Sequence, residues 1–130
     1  MSLRMLIVDD SSVIRAVVKK SIAMSGLAVA EIFEAGNGVE ALKVLEKDWV
    51  DIMFADLNMP EMDGVELVRK LAEDKLLGSV PVVIISSDRS ATRMDELKQL
   101  GVRAFMYKPF RPEQFRQVVT EILGPTKQKE

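Results

Sequence analysis

Five short apolar runs mark out the chain, at Met5–Val8, Val29–Phe33, Ile52–Ala55, Val82–Ile85 and Ala104–Tyr107. Four of them are near-continuous rather than alternating, the pattern of strands buried on both faces. The segments between them change to a helical period. Ile14, Val17, Val18 and Ile22 recur at helix spacing, with Arg15, Lys19 and Lys20 facing away. Leu42 and Leu45 follow Asn37-Gly38, and Val65, Val68, Leu71 and Ala72 follow Asp63-Gly64. Met94, Leu97 and Leu100 form a fourth set, and Phe115, Val118, Val119 and Ile122 a fifth. The punctuation agrees: Ser11 or Ser12 can cap the first helix, Gly26 and Gly101 sit where the first and fourth should stop, and Pro112 stands where a helix tolerates it. The chain reads as strand then helix, five times. That alternation predicts one α/β domain, a parallel sheet covered on both faces and wound right-handedly. Gly124 to Glu130 reads as a short polar tail, and no linker interrupts what precedes it.

In such a sheet every strand points the same way, so the C-terminal ends share one edge, and ligands bind there where the strand order reverses. The first run ends in Asp9-Asp10, the third in Asp56, the fourth in Ser86-Ser87 and the fifth in Lys108-Pro109. Each has a bland reading by itself: a helix cap, a turn acid, a surface lysine, an incidental serine. Together they bring three carboxylates, two hydroxyls and one amine to the same edge from four strands. If the third strand neighbours the first, the carboxylates crowd. Two unit charges about 4 Å apart repel by roughly 4 kcal/mol at an effective dielectric near 20. Such a cluster either raises its pKa values or binds a cation. Hard oxygen donors suit Mg²⁺ (or Mn²⁺), and Lys108 would offset residual negative charge. A carboxylate such as Asp56 can also act as a nucleophile on phosphorus, a reaction that needs mainly alignment and charge neutralisation.

Composition narrows the chemistry. The 130 residues contain no cysteine and no histidine, so thiolate nucleophiles, histidine bases and most zinc sites are excluded. With 18 basic and 20 acidic residues, net −2, nothing points to a nucleic-acid binder working through a basic face. The first apolar run is too short for a secretory signal, and no stretch approaches a membrane span. The expectation is a soluble, cytoplasmic protein with no direct nucleic-acid or membrane partner. The short tail favours a stand-alone chain.

Four stretches, in order and each closing a strand, are highly specific: "LIVDDS" (Leu6–Ser11), "FADLNMPEMDG" (Phe54–Gly64), "VVIISS" (Val82–Ser87) and "YKPF" (Tyr107–Phe110). Over roughly residues 4–123 the chain resembles the CheY-like receiver domain of bacterial two-component response regulators. The resemblance implies a doubly wound (βα)5 flavodoxin-like sandwich with strand order 2-1-3-4-5, the family being a standard example of the switch-point rule. It implies that Asp56 is the phospho-acceptor, with Lys108 and Ser86 acting beside it. It implies Mg²⁺ held by Asp9, Asp10, Asp56 and the backbone carbonyl of Asn58, with Asp10 the more direct ligand of the acidic pair. It further implies a cis bond between Lys108 and Pro109, a switch formed by Ser86 and Phe105, and tuning of dephosphorylation at Asn58 and Asp88. Phe105 stands where many chemotaxis members have Tyr. The implied partners are a sensor histidine kinase and a target protein at the face of the fourth helix, fifth strand and fifth helix.

Other readings use some of the same residues. A phosphorelay intermediate or a phosphorylation-independent adaptor shares the fold. An aspartate-nucleophile phosphatase of the haloacid dehalogenase type would carry its nucleophile in an Asp-x-Asp pattern on the first strand, which Asp9-Asp10-Ser11 does not provide. A flavodoxin-like cofactor binder would need a hydroxyl- and glycine-rich phosphate loop where this chain has two acids.

Overall fold

The protein is described here from a computed structural model that covers residues 2–74, 79–87 and 90–124. Five strands and five helices alternate: β1 (Leu3–Val8), α1 (Ser12–Met24), β2 (Val29–Ala35), α2 (Gly38–Lys47), β3 (Ile52–Ala55), α3 (Gly64–Glu73), β4 (Val82–Ser86), α4 (Ala91–Leu100), β5 (Ala104–Tyr107) and α5 (Pro112–Leu123). The sheet is parallel with order β2-β1-β3-β4-β5, the doubly wound arrangement expected. Among the described residues no helix is long and apolar enough to cross a membrane.

Near-continuous hydrophobicity in the central strands reflects two cores. Alternate residues of one strand enter opposite layers. Leu6, Val8, Met53, Ala55, Val82 and Ile84 pack with Leu67, Val68 and Leu71 of α3 and Met94 and Leu97 of α4. Met5, Ile7, Ile52, Phe54, Val83 and Ile85 pack with Val18 and Ile22 of α1 and Phe115 and Val119 of α5. In the second layer Phe54 and Phe110 both meet Phe115 edge-on, with ring centroids 5.3 and 5.2 Å away. β5 departs from the expectation of burial on both faces. It is the sheet edge, and only Met106 of its four residues is buried.

Helix starts follow local chemistry. Ser11 Oγ accepts from Ile14 N at 3.2 Å, Asn37 Oδ1 from Glu40 N at 2.9 Å and Asp63 Oδ1 from Glu66 N at 2.9 Å. Each oxygen satisfies a backbone donor that the helix leaves unpaired. Pro112 opens α5, and α4 ends on Gly101 at φ 117°, a left-handed conformation suited to glycine. In α1 the period misleads at two positions. Val17, expected in the core, is 46 % exposed, whereas Arg15, expected to face away, turns its side chain onto the end of β1. The buried stripe of α1 is narrow, centred on Val18 and Ile22, and the positions flanking it are free to take either kind of side chain.

The register aligns the C-terminal ends. Val8 lies opposite Ala35 on one side and Ala55 on the other, Ala55 opposite Ile84, and Ser86 opposite Tyr107. The ladder continues one residue further: Asp9 N donates to Ala35 O at 3.0 Å, Asp56 N to Val8 O at 2.9 Å and Lys108 N to Ser86 O at 3.1 Å. The loop after β3 is drawn back over this edge by two glycines. Gly64 N donates to Leu57 O and Gly38 N to Met62 O, both at 2.9 Å. A Cβ on Gly64 would fall 2.3 Å from the Asp56 carbonyl oxygen and 2.9 Å from Leu57 Cα, with backbone on both counts. At Gly38 the obstacle is the Met62 side chain, 2.6 Å from such a Cβ.

This contrast gives a paired prediction. Gly64→Ala is expected to cost about 1–3 kcal/mol, the range of an overpacked site whose neighbours cannot yield. Gly38→Ala should cost less, because Met is flexible enough to move aside. Urea titration of both variants checks the order; equal losses would mean that the loop after β3 yields as readily as a side chain.

Candidate functional site

The extended ladder delivers the chain's reactive groups to one place. Asp9, Asp10 and Asp56 each offer a carboxylate oxygen, and these oxygens lie within 4.8 Å of one another. Lys108 Nζ approaches Asp9 Oδ2 at 3.7 Å and Asp56 Oδ1 at 3.8 Å, distances of charge contact rather than hydrogen bonding. Asp9 is buried, and Ser11 N donates to its Oδ1 at 2.9 Å, so one of its oxygens already serves the turn into α1. Asp10 is exposed at the rim. The Lys108–Pro109 peptide is cis.

Three carboxylates against one amine leave two negative charges uncompensated in a site that excludes much of the solvent. The Asp56 side chain is only 12 % exposed. Burial pushes its pKa above the ordinary carboxylate value; Lys108 opposes that rise, and Asp9 and Asp10 add to it. Desolvation therefore outweighs the lysine. The residues suit a hard divalent cation: several carboxylate oxygens, no nitrogen or sulfur ligand, one side open to water. Asp9, Asp10 and Asp56 are the residues able to hold one.

Ser86 closes β4 and is buried, 1 % exposed, and no buried side-chain nitrogen or oxygen among the described residues lacks a partner. Phe105 stands opposite Ile84 on β5, packed against the first core layer, with Lys98 Nζ 5.9 Å from its ring centroid. Asn58 is exposed, two residues beyond Asp56. Asp88 lies outside the described residues. The fold thus brings together Asp9, Asp10, Asp56 and Lys108, sets Ser86 at the end of the neighbouring strand, and holds Phe105 at the sheet's outer edge.

Residue-level reading missed the supports of this cluster. Arg15 bonds to the carbonyl of Asp9 and, through Nε, to Glu34 Oε1 at 2.9 Å. Its position one turn after the cap Ser11 was the available signal, but the helical period assigned it to solvent. Gly64 carried a signal as part of Asp63-Gly64, which marks a turn without revealing that the glycine touches the backbone of Asp56.

Comparison with known proteins identifies the family of the chain. The family model described as the response regulator receiver domain matches residues 5–120. A chemotaxis protein CheY homolog of Campylobacter jejuni is 32% identical over 123 residues, covering 94% of this chain and 93% of that protein. Chemotaxis protein CheY1 of Helicobacter pylori is 31% identical over 123 residues, covering 94% and 98%. The structure of chemotaxis protein CheY4 from Vibrio cholerae superposes with a TM-score of 0.83 at 29% identity, covering 95% of this chain and all of that one. The chain belongs to the response regulator receiver domain family, and it is a signalling domain of the CheY type.

The raised pKa of Asp56 has a consequence for stability. The folded state holds the proton more tightly than the unfolded chain does. Ionised Asp56 therefore opposes folding above its folded-state pKa, and this opposition fades as pH falls through that value. In metal-free buffer Asp56→Asn should melt a few degrees above wild type at neutral pH, and the gap should close below the ordinary aspartate pKa. Thermal melts in EDTA across this pH range check it; a variant that melts lower throughout would show that Lys108 outweighs desolvation.

Proposed function

We propose that the domain is a phosphorylation switch in which Asp56 accepts a phosphoryl group from the phosphohistidine of a sensor kinase. The observation that carries this reading is the largely buried carboxylate of Asp56, clustered with two further acids and 3.8 Å from the amine of Lys108. An Asp56 oxygen attacks phosphorus, the phosphorus–nitrogen bond breaks, and the histidine leaves with its electron pair. Water later cleaves the acyl phosphate and restores the carboxylate. The domain catalyses only these two steps on itself and turns over no external substrate.

Asp9, Asp10, Asp56 and the backbone carbonyl of Asn58 would hold Mg²⁺ or Mn²⁺. When bound, the ion supplies the positive charge that three carboxylates and a phosphoryl group require. Lys108 pairs with the phosphoryl oxygens as a point charge. Ser86 turns its hydroxyl toward the new group, Phe105 repacks against β4, and the face of α4, β5 and α5 changes its affinity for a target protein. A local charge biasing a two-state element is the logic required. Asn58 and Asp88 tune the lifetime of the acyl phosphate. Residues 4–123 form the receiver unit and 124–130 a tail outside it. The protein works in the cytoplasm through protein partners, without direct nucleic-acid or membrane contact. The naming of its relatives as chemotaxis proteins supports a pathway of that kind.

Two experiments test the reading. Mg²⁺ should raise the melting temperature of wild type and not that of Asp10→Asn, because binding to the folded state alone stabilises it; no rise in wild type, or an equal one in the variant, contradicts the metal site. Beryllium fluoride, which mimics an aspartyl phosphate, should shift the amide resonances of Ser86 and Phe105 in wild type but not in Asp56→Asn. Binding without a shift at β4 and β5 would contradict the switch.

A further inference from the structure

The turn that carries Asp9 and Asp10 is held from outside the acid cluster. Arg15, on the first turns of α1, donates through a terminal guanidinium nitrogen to the carbonyl oxygen of Asp9. That carbonyl belongs to the peptide joining Asp9 to Asp10, so its direction sets where the next residue starts. The same guanidinium donates from Nε to Glu34 Oε1 at 2.9 Å, near the end of β2. The other oxygen of Glu34 takes Lys19 Nζ at 3.1 Å, one turn further along α1. Arg15 is thereby clamped at two points, and Glu34 is clamped in turn. The Arg15 side chain is mostly covered.

Lys108 is the ammonium in charge contact with Asp9 and Asp56, whereas the charge of Arg15 is met by Glu34. The contribution of Arg15 is directional. Asp10 is exposed and nothing else ties its peptide from the α1 side among the described hydrogen bonds; Ser11 N instead holds the side chain of Asp9. The planar fork of an arginine can serve a carbonyl and a carboxylate at once, in fixed relative directions, which a lysine cannot.

We propose that Arg15, oriented by Glu34, is a positioning residue: it fixes the Asp9–Asp10 peptide and so presents the Asp10 carboxylate to the cation shared with Asp56. The inference rests on the metal site proposed above. Partners that orient ligands typically matter about 10- to 100-fold in metal affinity when removed. The low end applies here, because Asp9 keeps its bonds to Ala35 O and Ser11 N without the arginine.

The test is Mg²⁺ titration of the full chain by calorimetry, beside melting in EDTA and the rate of phosphoryl uptake from acetyl phosphate at varied Mg²⁺. Arg15→Ala and Arg15→Lys should both bind Mg²⁺ about tenfold more weakly while melting close to wild type in EDTA. Their uptake rates should return to near the wild-type value at saturating Mg²⁺, moving the half-saturation point and not the plateau. Glu34→Gln, which keeps an acceptor for Arg15 Nε, should lose less than Glu34→Ala. Wild-type affinity in folded Arg15→Ala, or in Arg15→Lys, would overturn the positioning role. A wild type that binds no Mg²⁺ would overturn the metal site itself and this inference with it.

Discussion

The fold crowds like charges at one partly buried edge of its sheet. A parallel sheet ends all its strands on one edge, and here three carboxylates meet there with a single lysine between them. Two unit charges about 4 Å apart repel by roughly 4 kcal/mol at an effective dielectric near 20, and by less where one faces water as Asp10 does, which is still appreciable against a total stability of about 5–15 kcal/mol for a domain. The rest of the molecule must therefore be stable enough to hold the site in an unfavourable state. Two full core layers, with Phe54, Phe115 and every residue of β3 and β4 buried, supply that stability on either side of the edge. In the proposed switch this arrangement is the source of function: groups kept in mutual repulsion respond strongly to whatever neutralises them.

Precision at the edge comes from backbone more than from side chains. Asp9, Asp56 and Lys108 continue the sheet's hydrogen-bond ladder one residue beyond the strands, so their positions inherit the rigidity of the sheet. Gly64 brings the start of α3 against the peptide of Asp56, and Gly38 closes over Met62. Arg15 and Glu34 reach in from α1 and β2. By contrast the β5 side is less enclosed: β5 is an edge strand, and Phe105 is half-buried there with the ammonium of Lys98 5.9 Å from its ring. A site held by backbone on one side and bordered by an edge strand on the other suits the proposed switch, which must pass a local charge change outward.

Much of this was legible in the residues. The apolar runs located all five strands, and Asp9-Asp10, Asp56 and Lys108 could be assembled because each follows directly on a strand in a parallel sheet. Strand order was not readable from period or composition; it came from the resemblance carried by the four motifs. Other features escaped for physical reasons. Val17 and Arg15 sit beside a narrow buried stripe on α1, where a period of 3.6 does not decide between core and solvent. The weak burial of β5 depends on its being last in the sheet, which its own four residues do not encode. The contact of Gly64 with Asp56 joins residues that only the folded loop brings together.

The phospho-acceptor role of Asp56 is tested most directly by intact mass after incubation with acetyl phosphate and Mg²⁺, for wild type beside Asp56→Asn. A single phosphoryl adduct is expected on wild type, absent from the variant and lost on standing. A folded wild-type protein that binds Mg²⁺ yet gains no adduct, or an adduct that persists in Asp56→Asn, would contradict that role.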